Sequence, residues 1–363
     1  MNKLIVASLL TVLVPALAVA VLADEPAADR PQVAKSPIGF VKGQTWGWWG
    51  RRGHYEGPEA AESMRLMAAT GTEWATIAFV AHMPAHNIPM IAWGEADPRM
   101  VTDDEIRRAI GLARENKLKI ILKPVYDCLD GTWRAKIDFR KPDGKTDDAA
   151  WNLWWQCYEA FMLHYARLAA EGKCEALVVG CEMTSTEGYE KQWRGLIKKI
   201  RDVYDGPLIY NTADKREQEV TWWDAVDVIG VGVYWTVGTK DDSSLETMVA
   251  EFRKHVPRLK ALSEKWKRPI LFIEIGCRSA DGCQVWPGDC ENWQWPCDLG
   301  VQARFYEAAL QVFWNEPWLA GYSWWDWPAR LYPKDKAATD KQFYIYGKPA
   351  EQVLRTWYAK PRP

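Results

Sequence analysis

The sequence predicts an α/β fold, a (β/α)8 TIM barrel in one domain over residues 38–360, on three observations. Short apolar runs alternate with longer amphipathic ones, the pattern of parallel strands crossed by helices. Eight of the short runs read as strands, with helices between most of them. No glycine-rich phosphate loop follows any strand, which argues against an open doubly wound sheet.

The strands are expected at 39–46, 74–80, 118–123 (LKIILK), 176–182 (ALVVGCE), 207–211, 226–234, 269–274 (PILFIE) and 319–325. Each is short, β-branched or aromatic, and bounded by turn residues. The first helix is expected at 58–69, opened by Pro58, which suits a first helical turn. The second, 103–116, follows Thr102, and Glu105 three residues on completes a capping box. Further helices are expected at 148–170, 189–204, 245–266 and 302–314, with 350–358 closing the ring.

Ahead of the barrel, Lys3, an apolar run over 4–22 and small residues before Asp24 read as an export signal over 1–23. An uncleaved anchor is the alternative, and either way the catalytic part is expected outside the cytosol, secreted or periplasmic. Residues 24–37, rich in Ala, Pro and Asp, read as a tether. Hydrophobic residues make up 48% and charged residues 26%, with a net charge of -2. That leaves no basic field for nucleic acid or an anionic membrane, so the expected partner is neutral or small and the chain is expected to be a monomer.

Eight cysteines, at 128, 157, 174, 181, 277, 283, 290 and 297, lack the close pairs of a zinc site. In an oxidising compartment disulfides are the default, and the Gly/Pro/Trp-rich stretch holding Cys283, Cys290 and Cys297 is expected to be a loop stapled by at least one bridge. His82 and His86 flank Pro84 in an expected loop, so no metal site is assigned to them. There are 23 tryptophans, more than a core needs. A flat apolar face with an N–H edge suits a sugar ring, and about half of these residues are expected to serve packing instead.

Glu182 ends the fourth strand and Glu274 the seventh. A carboxylate closing an apolar strand is costly to bury and is tolerated at a functional mouth, which in a barrel lies at the C-terminal ends of the strands. Strands four and seven stand across the barrel, so the two side chains can converge. Paired carboxylates are what glycosidic cleavage needs, one protonating the leaving oxygen and the other attacking the anomeric carbon. Glu182 then requires a raised pKa, while Glu274 must stay ionised beside cationic or phenolic neighbours such as Tyr234.

This arrangement resembles the clan of retaining glycosidases whose acid/base ends strand four and whose nucleophile ends strand seven. Within it the chain is similar to glycoside hydrolase family 113, whose characterised members are mostly β-1,4-mannanases. The likeness runs from about Gly39 to Trp357 and is carried by ILKPVYD at 121–127, GTWRAKI at 131–137, VVGCEM at 178–183, QWRGLIKKIR at 192–201, FIEIGCRS at 272–279 and GYSWWDW at 321–327. It implies a retaining hydrolase of β-1,4-mannan or glucomannan that needs no cofactor. The rivals are the same mechanism on xylan or β-glucan, and a barrel that binds carbohydrate without turnover. Clan members usually carry Asn just before the acid/base, where this chain has Cys181, a weak donor.

Supporting residues follow from position. Lys123 ends strand three and is assigned to a sugar hydroxyl or to an ion pair in the mouth. Trp133 and Arg134 lie in the loop beyond it, and Asn211 and Tyr234 end strands five and six. Trp325 and Trp327 stand where the clan places an aromatic platform, Trp324 alternates to the packing side, and Trp46 is expected to floor a neighbouring subsite.

Overall fold

The structure is a computed structural model that describes residues 35–361. The leader expected over 1–23 and most of the 24–37 tether lie outside the described residues. Among the described residues no helix is long and apolar enough to cross a membrane.

Eight parallel strands close in sequence order: β1 (Val41–Trp46), β2 (Trp74–Met83), β3 (Lys119–Cys128), β4 (Ala176–Cys181), β5 (Leu208–Thr212), β6 (Val228–Val233), β7 (Ile270–Ile275) and β8 (Leu319–Trp327). Around them run α1 (Pro58–Ala68), α2 (Asp103–Glu115), α3 (Asp148–Glu171), α4 (Glu190–Arg201), α5 (Leu245–Arg253), α6 (Val256–Trp266), α7 (Leu299–Phe313) and α8 (Pro349–Tyr358). The predicted (β/α)8 barrel is therefore observed. Several boundaries differ: β2 and β3 run on to Met83 and Cys128, beyond the expected ends at 80 and 123, so His82 lies on a strand and not in the expected loop. The helix expected over 245–266 is two helices, because Pro257 at the start of α6 has no N–H to continue the preceding turn. The Thr102–Glu105 capping box forms as predicted, and Asp147, Ser244 and Asp298 cap α3, α5 and α7 with their side chains.

The barrel lumen is layered. Its lower part is apolar, filled by Val41, Trp74, Ile121, Val178, Ile209 and Ile273 among others. Above lie hydrogen-bonded hydroxyls, with Ser323 3.0 Å from Thr45 and 2.7 Å from Thr76. The top layer holds charged groups. Strand register shifts between Val178 and Gly180 on β4 and between Phe272 and Ile275 on β7. Such bulges re-aim side chains, and here they precede Glu182 and adjoin Glu274. A larger core fills the space between barrel and helices. Ten tryptophans, among them Trp154, Trp193, Trp222 and Trp235, are fully buried, so the aromatic abundance is first a packing device.

All eight cysteines are free thiols, which corrects the expected bridge in the 277–298 loop. Cys277 and Cys283 are buried while Cys290 and Cys297 lie at the surface, and polar contacts close the loop instead. Buried Arg278 donates to Asp289 at 2.6 Å, with its guanidinium 4.0 Å from the centre of the Trp293 ring. Lys341 donates to the carbonyls of Trp293 and Trp295.

Candidate active site

Glu182 follows the last residue of β4 with φ +54°, left-handed backbone that a β-carbon disfavours by about 1–3 kcal/mol. Its N–H is held by the Asn211 carbonyl at 2.7 Å. One carboxylate oxygen, Oε2, accepts from Trp133 Nε1 at 3.0 Å and from Arg134 Nη2 at 2.9 Å. The other takes no donor among the described residues. Arg134 is buried and shared, donating also to Asp127 at 2.6 Å and to the Cys181 carbonyl at 3.2 Å.

Glu274, near the end of β7, is enclosed differently. Oε1 accepts from Lys123 Nζ and from the Cys181 thiol at 3.3 Å, and Oε2 accepts from Tyr234 Oη at 3.2 Å. Lys123 is fully buried and also donates to Asn211 Oδ1 at 2.8 Å. Single ligand atoms of Cys181, Glu182 and Glu274 lie within 4.8 Å of one another. Among the described residues this is the one group with the spacing of a metal site, and Lys123 and Arg134 already supply positive charge to the same carboxylates.

The two environments drive ionisation apart. Burial raises the Glu182 pKa, the nearby Glu274 charge adds to that, and Arg134 with the Trp133 bond offsets only part, so the carboxyl ends above its ordinary value. Burial would also raise Glu274. Against it stand the charges of Lys123 and Arg134 and the hydrogen bonds from Lys123 and Cys181, which bring Glu274 below its ordinary value. Burial pushes the Cys181 thiol up, so it acts as a neutral donor.

The other predicted residues divide. Trp133, Arg134, Asn211, Lys123 and Tyr234 all meet the glutamate pair. Lys123 has taken the ion-pair alternative, its ammonium held by Glu274 and Asn211 and lying 5.4 Å from the Trp325 ring centre. Trp325 clusters with Cys181, Trp48 and Phe343 at the mouth. Trp46 and Trp327 do not reach it, a correction to their expected places. On β1 Thr45 faces the lumen and bonds Ser323, so plain alternation turns Trp46 outward; β8 carries one extra residue opposite Gln44–Trp46, which turns Trp327 to the same side, and both indoles bond Ser63 Oγ at 3.1 Å. Trp324 packs outward on Tyr306, as alternation predicts. His82 and His86 each turn to their own aspartate, Asp97 and Asp130. Trp48 was missed. It stands 4.9 Å from Trp325 with the Arg134 guanidinium 5.5 Å from its ring. The signal was Gly47, whose φ of +89° turns the chain over the mouth.

A closed eight-stranded α/β barrel whose mouth holds two buried carboxylates of opposed ionisation is the arrangement of a glycoside hydrolase. The sequence matches Glycoside Hydrolase Family 113 over residues 44–348, and the chain belongs to that family. Among solved structures it is similar to the GH113 β-mannanase AaManA from Alicyclobacillus acidocaldarius in complex with ManMIm, with 39% identity, 89% of this chain and 99% of that one covered, and a TM-score of 0.81. A GH113 β-1,4-mannanase complex is similar at 31% identity, covering 89% and 100%, with a TM-score of 0.80. A β-D-glucuronidase from Dictyoglomus thermophilum, 14% identical with a TM-score of 0.59 over 89% of this chain and 51% of that one, shares the fold alone. No curated protein matches the chain.

Proposed function

We propose that this hydrolase cleaves β-1,4-mannan or glucomannan with retention of configuration, with Glu274 as nucleophile and Glu182 as general acid/base. The observation behind this is the approach of the two carboxylates to within 4.8 Å with their ionisation driven apart. Inverting enzymes hold their carboxyls roughly 6.5–9.5 Å apart to seat a water, whereas retaining ones stand at roughly 5–5.5 Å. The similar family structures are β-mannanases, which supports mannan as the substrate.

In the first step a Glu274 oxygen bonds the anomeric carbon, the glycosidic C–O bond breaks, and the Glu182 proton passes to the departing oxygen. In the second, Glu182, now a carboxylate, takes a proton from water. The water oxygen bonds the anomeric carbon and the ester to Glu274 breaks, which restores both residues. Lys123 and Tyr234 keep Glu274 ionised and aimed. Trp133 and Arg134 fix one Glu182 oxygen, which leaves the other to carry the proton. Trp325 offers a ring to the sugar under attack, and the Cys181 thiol replaces the clan's Asn as a donor beside it. We also read the 1–23 leader as an export signal that delivers the enzyme to extracellular glycan.

Glu274→Ala tests the assignment. Hydrolysis of mannan, followed by reducing-sugar release, should fall by about 10⁴-fold or more while glycan binding persists. NMR of the first-formed product of the wild type should show the β anomer. Surviving hydrolysis in the variant, or an α product, overturns the proposal.

A further inference from the structure

We propose that the turn after β1 carries an additional sugar subsite, with Trp49 as a stacking platform for one more hexose of the glycan, a proposal that rests on the glycan-hydrolase reading above. Singly exposed aromatic residues are ordinary on protein surfaces and need no ligand. Trp49 differs in two respects, its continuity with the catalytic mouth and the rigidity of its support.

The continuity is a run of rings. Trp325 lies beside Lys123 in the mouth, Trp48 meets Trp325 edge-on at 4.9 Å, and Trp49 meets Trp48 edge-on at 6.3 Å. Trp325 and Trp48 are nearly buried, but Trp49 is 52% exposed. A chain of indole rings, each meeting the next edge-on, thus joins the mouth to a ring in solvent, each step on the scale of one pyranose ring. The Trp49 indole N–H has no acceptor among the described residues, so its edge can serve a sugar hydroxyl while its face meets the C–H side of the ring.

The support is a locked turn. Gly47 N–H bonds the Trp327 carbonyl at 3.1 Å, Gly50 N–H bonds the Gly47 carbonyl at 2.7 Å, and the Tyr55 hydroxyl donates to that same carbonyl at 2.7 Å. Both glycines are required by close approach. A β-carbon at Gly47 would stand 2.5 Å from the Tyr55 hydroxyl, and one at Gly50 would stand 2.4 Å from the Tyr55 ring. A large apolar face held in water by a braced turn is preorganised, so a ligand that covers it loses little entropy in ordering it.

The test compares Trp49→Ala and Trp49→Phe with the wild type on β-1,4-manno-oligosaccharides of increasing length. For Trp49→Ala, kcat/KM should be unchanged on the shortest oligosaccharide that is cleaved and should fall about five- to tenfold on the longer ones, mostly through KM. Trp49→Phe, which keeps an aromatic face, should retain most of the wild-type value. An equal loss at every length marks a role in folding alone, and no loss at any length marks an idle surface residue; either overturns the proposal. A wild type that cleaves no manno-oligosaccharide overturns the substrate reading instead, and the same length comparison is then made on xylo- or β-gluco-oligosaccharides.

Discussion

Replacing Lys123 with methionine keeps most of the side chain's bulk and removes its charge. In the wild type the Lys123 ammonium is fully buried and bonds both Glu274 and Asn211. Deleting one partner of a buried pair leaves the other uncompensated and costs about 3–5 kcal/mol. For a domain of this size that lowers Tm by about 4–7 °C near pH 7. The pH dependence is more diagnostic than the size. Glu274 is held below its ordinary pKa, so its stabilising contribution is present above the unfolded carboxylate value and is lost as pH falls through the lower folded value. Without Lys123, burial becomes dominant and raises that carboxyl, so the variant loses most where Glu274 must be ionised. The Tm gap between wild type and Lys123→Met should therefore be widest near about pH 7 and should narrow toward about pH 4. The acid limb of kcat/KM, which reports ionisation of the nucleophile, should move to higher pH, and activity near neutrality should fall about 10²-fold. Thermal melts at several pH values and a pH–rate profile read both effects. A Tm gap constant across pH, together with an unmoved acid limb, would refute the role given to Lys123.

Two further substitutions separate the carboxylates. Arg134→Gln removes the charge that opposes the raised pKa of Glu182, so the basic limb of the kcat/KM profile should shift to higher pH while the optimum rate falls about 10²-fold from lost orientation; a downward shift would refute this. Cys181→Ala removes a thiol donor from Glu274, so kcat/KM should fall about three- to tenfold with a small upward shift of the acid limb, and Cys181→Ser should recover most of the loss in a side-by-side pH–rate measurement.

The barrel was legible because its strands are local features. PILFIE and ALVVGCE are apolar runs that each end in a carboxylate, and alternation with helices leaves few topologies to choose from. The glutamate pair was legible for the same reason, since strands four and seven of an eight-strand ring face each other. Trp327 was misplaced because a simple count of alternating residues does not register a bulge, and Trp46 because its position at the strand end was weighed above the alternation that turns it away from the lumen. The extra residue on β8 between Trp324 and Trp327 turns the Trp327 ring outward, and nothing in its composition marks it. Trp48 escaped because it lies beyond the strand, where Gly47 rather than the pleat sets direction. The ion pair of Lys123 with Glu274 joins side chains 151 residues apart, a contact that only the closed ring creates.

The electrostatics of the mouth explain why two chemically identical residues are driven to opposite ionisation, as the proposed roles require. Both cations come from one stretch of chain, Lys123 on β3 and Arg134 in the loop after it. Lys123 is committed to Glu274, its other hydrogen bond going to the neutral Asn211. Arg134 is divided, since it also bonds Asp127. Counting Lys123 and Arg134 against Glu274 and Asp127, the site is already neutral before Glu182 is considered. A second full charge on Glu182 would be a buried excess within 4.8 Å of Glu274, and low-dielectric surroundings penalise that more than they penalise holding a proton. On the proposed mechanism this makes Glu182 the proton carrier, and the site presents no net charge to a neutral sugar until the glycosidic bond begins to break. In that proposed sequence the positive charge that develops at the anomeric carbon faces Glu274, while the proton needed by the departing oxygen waits on the one Glu182 oxygen that neither Trp133 nor Arg134 occupies.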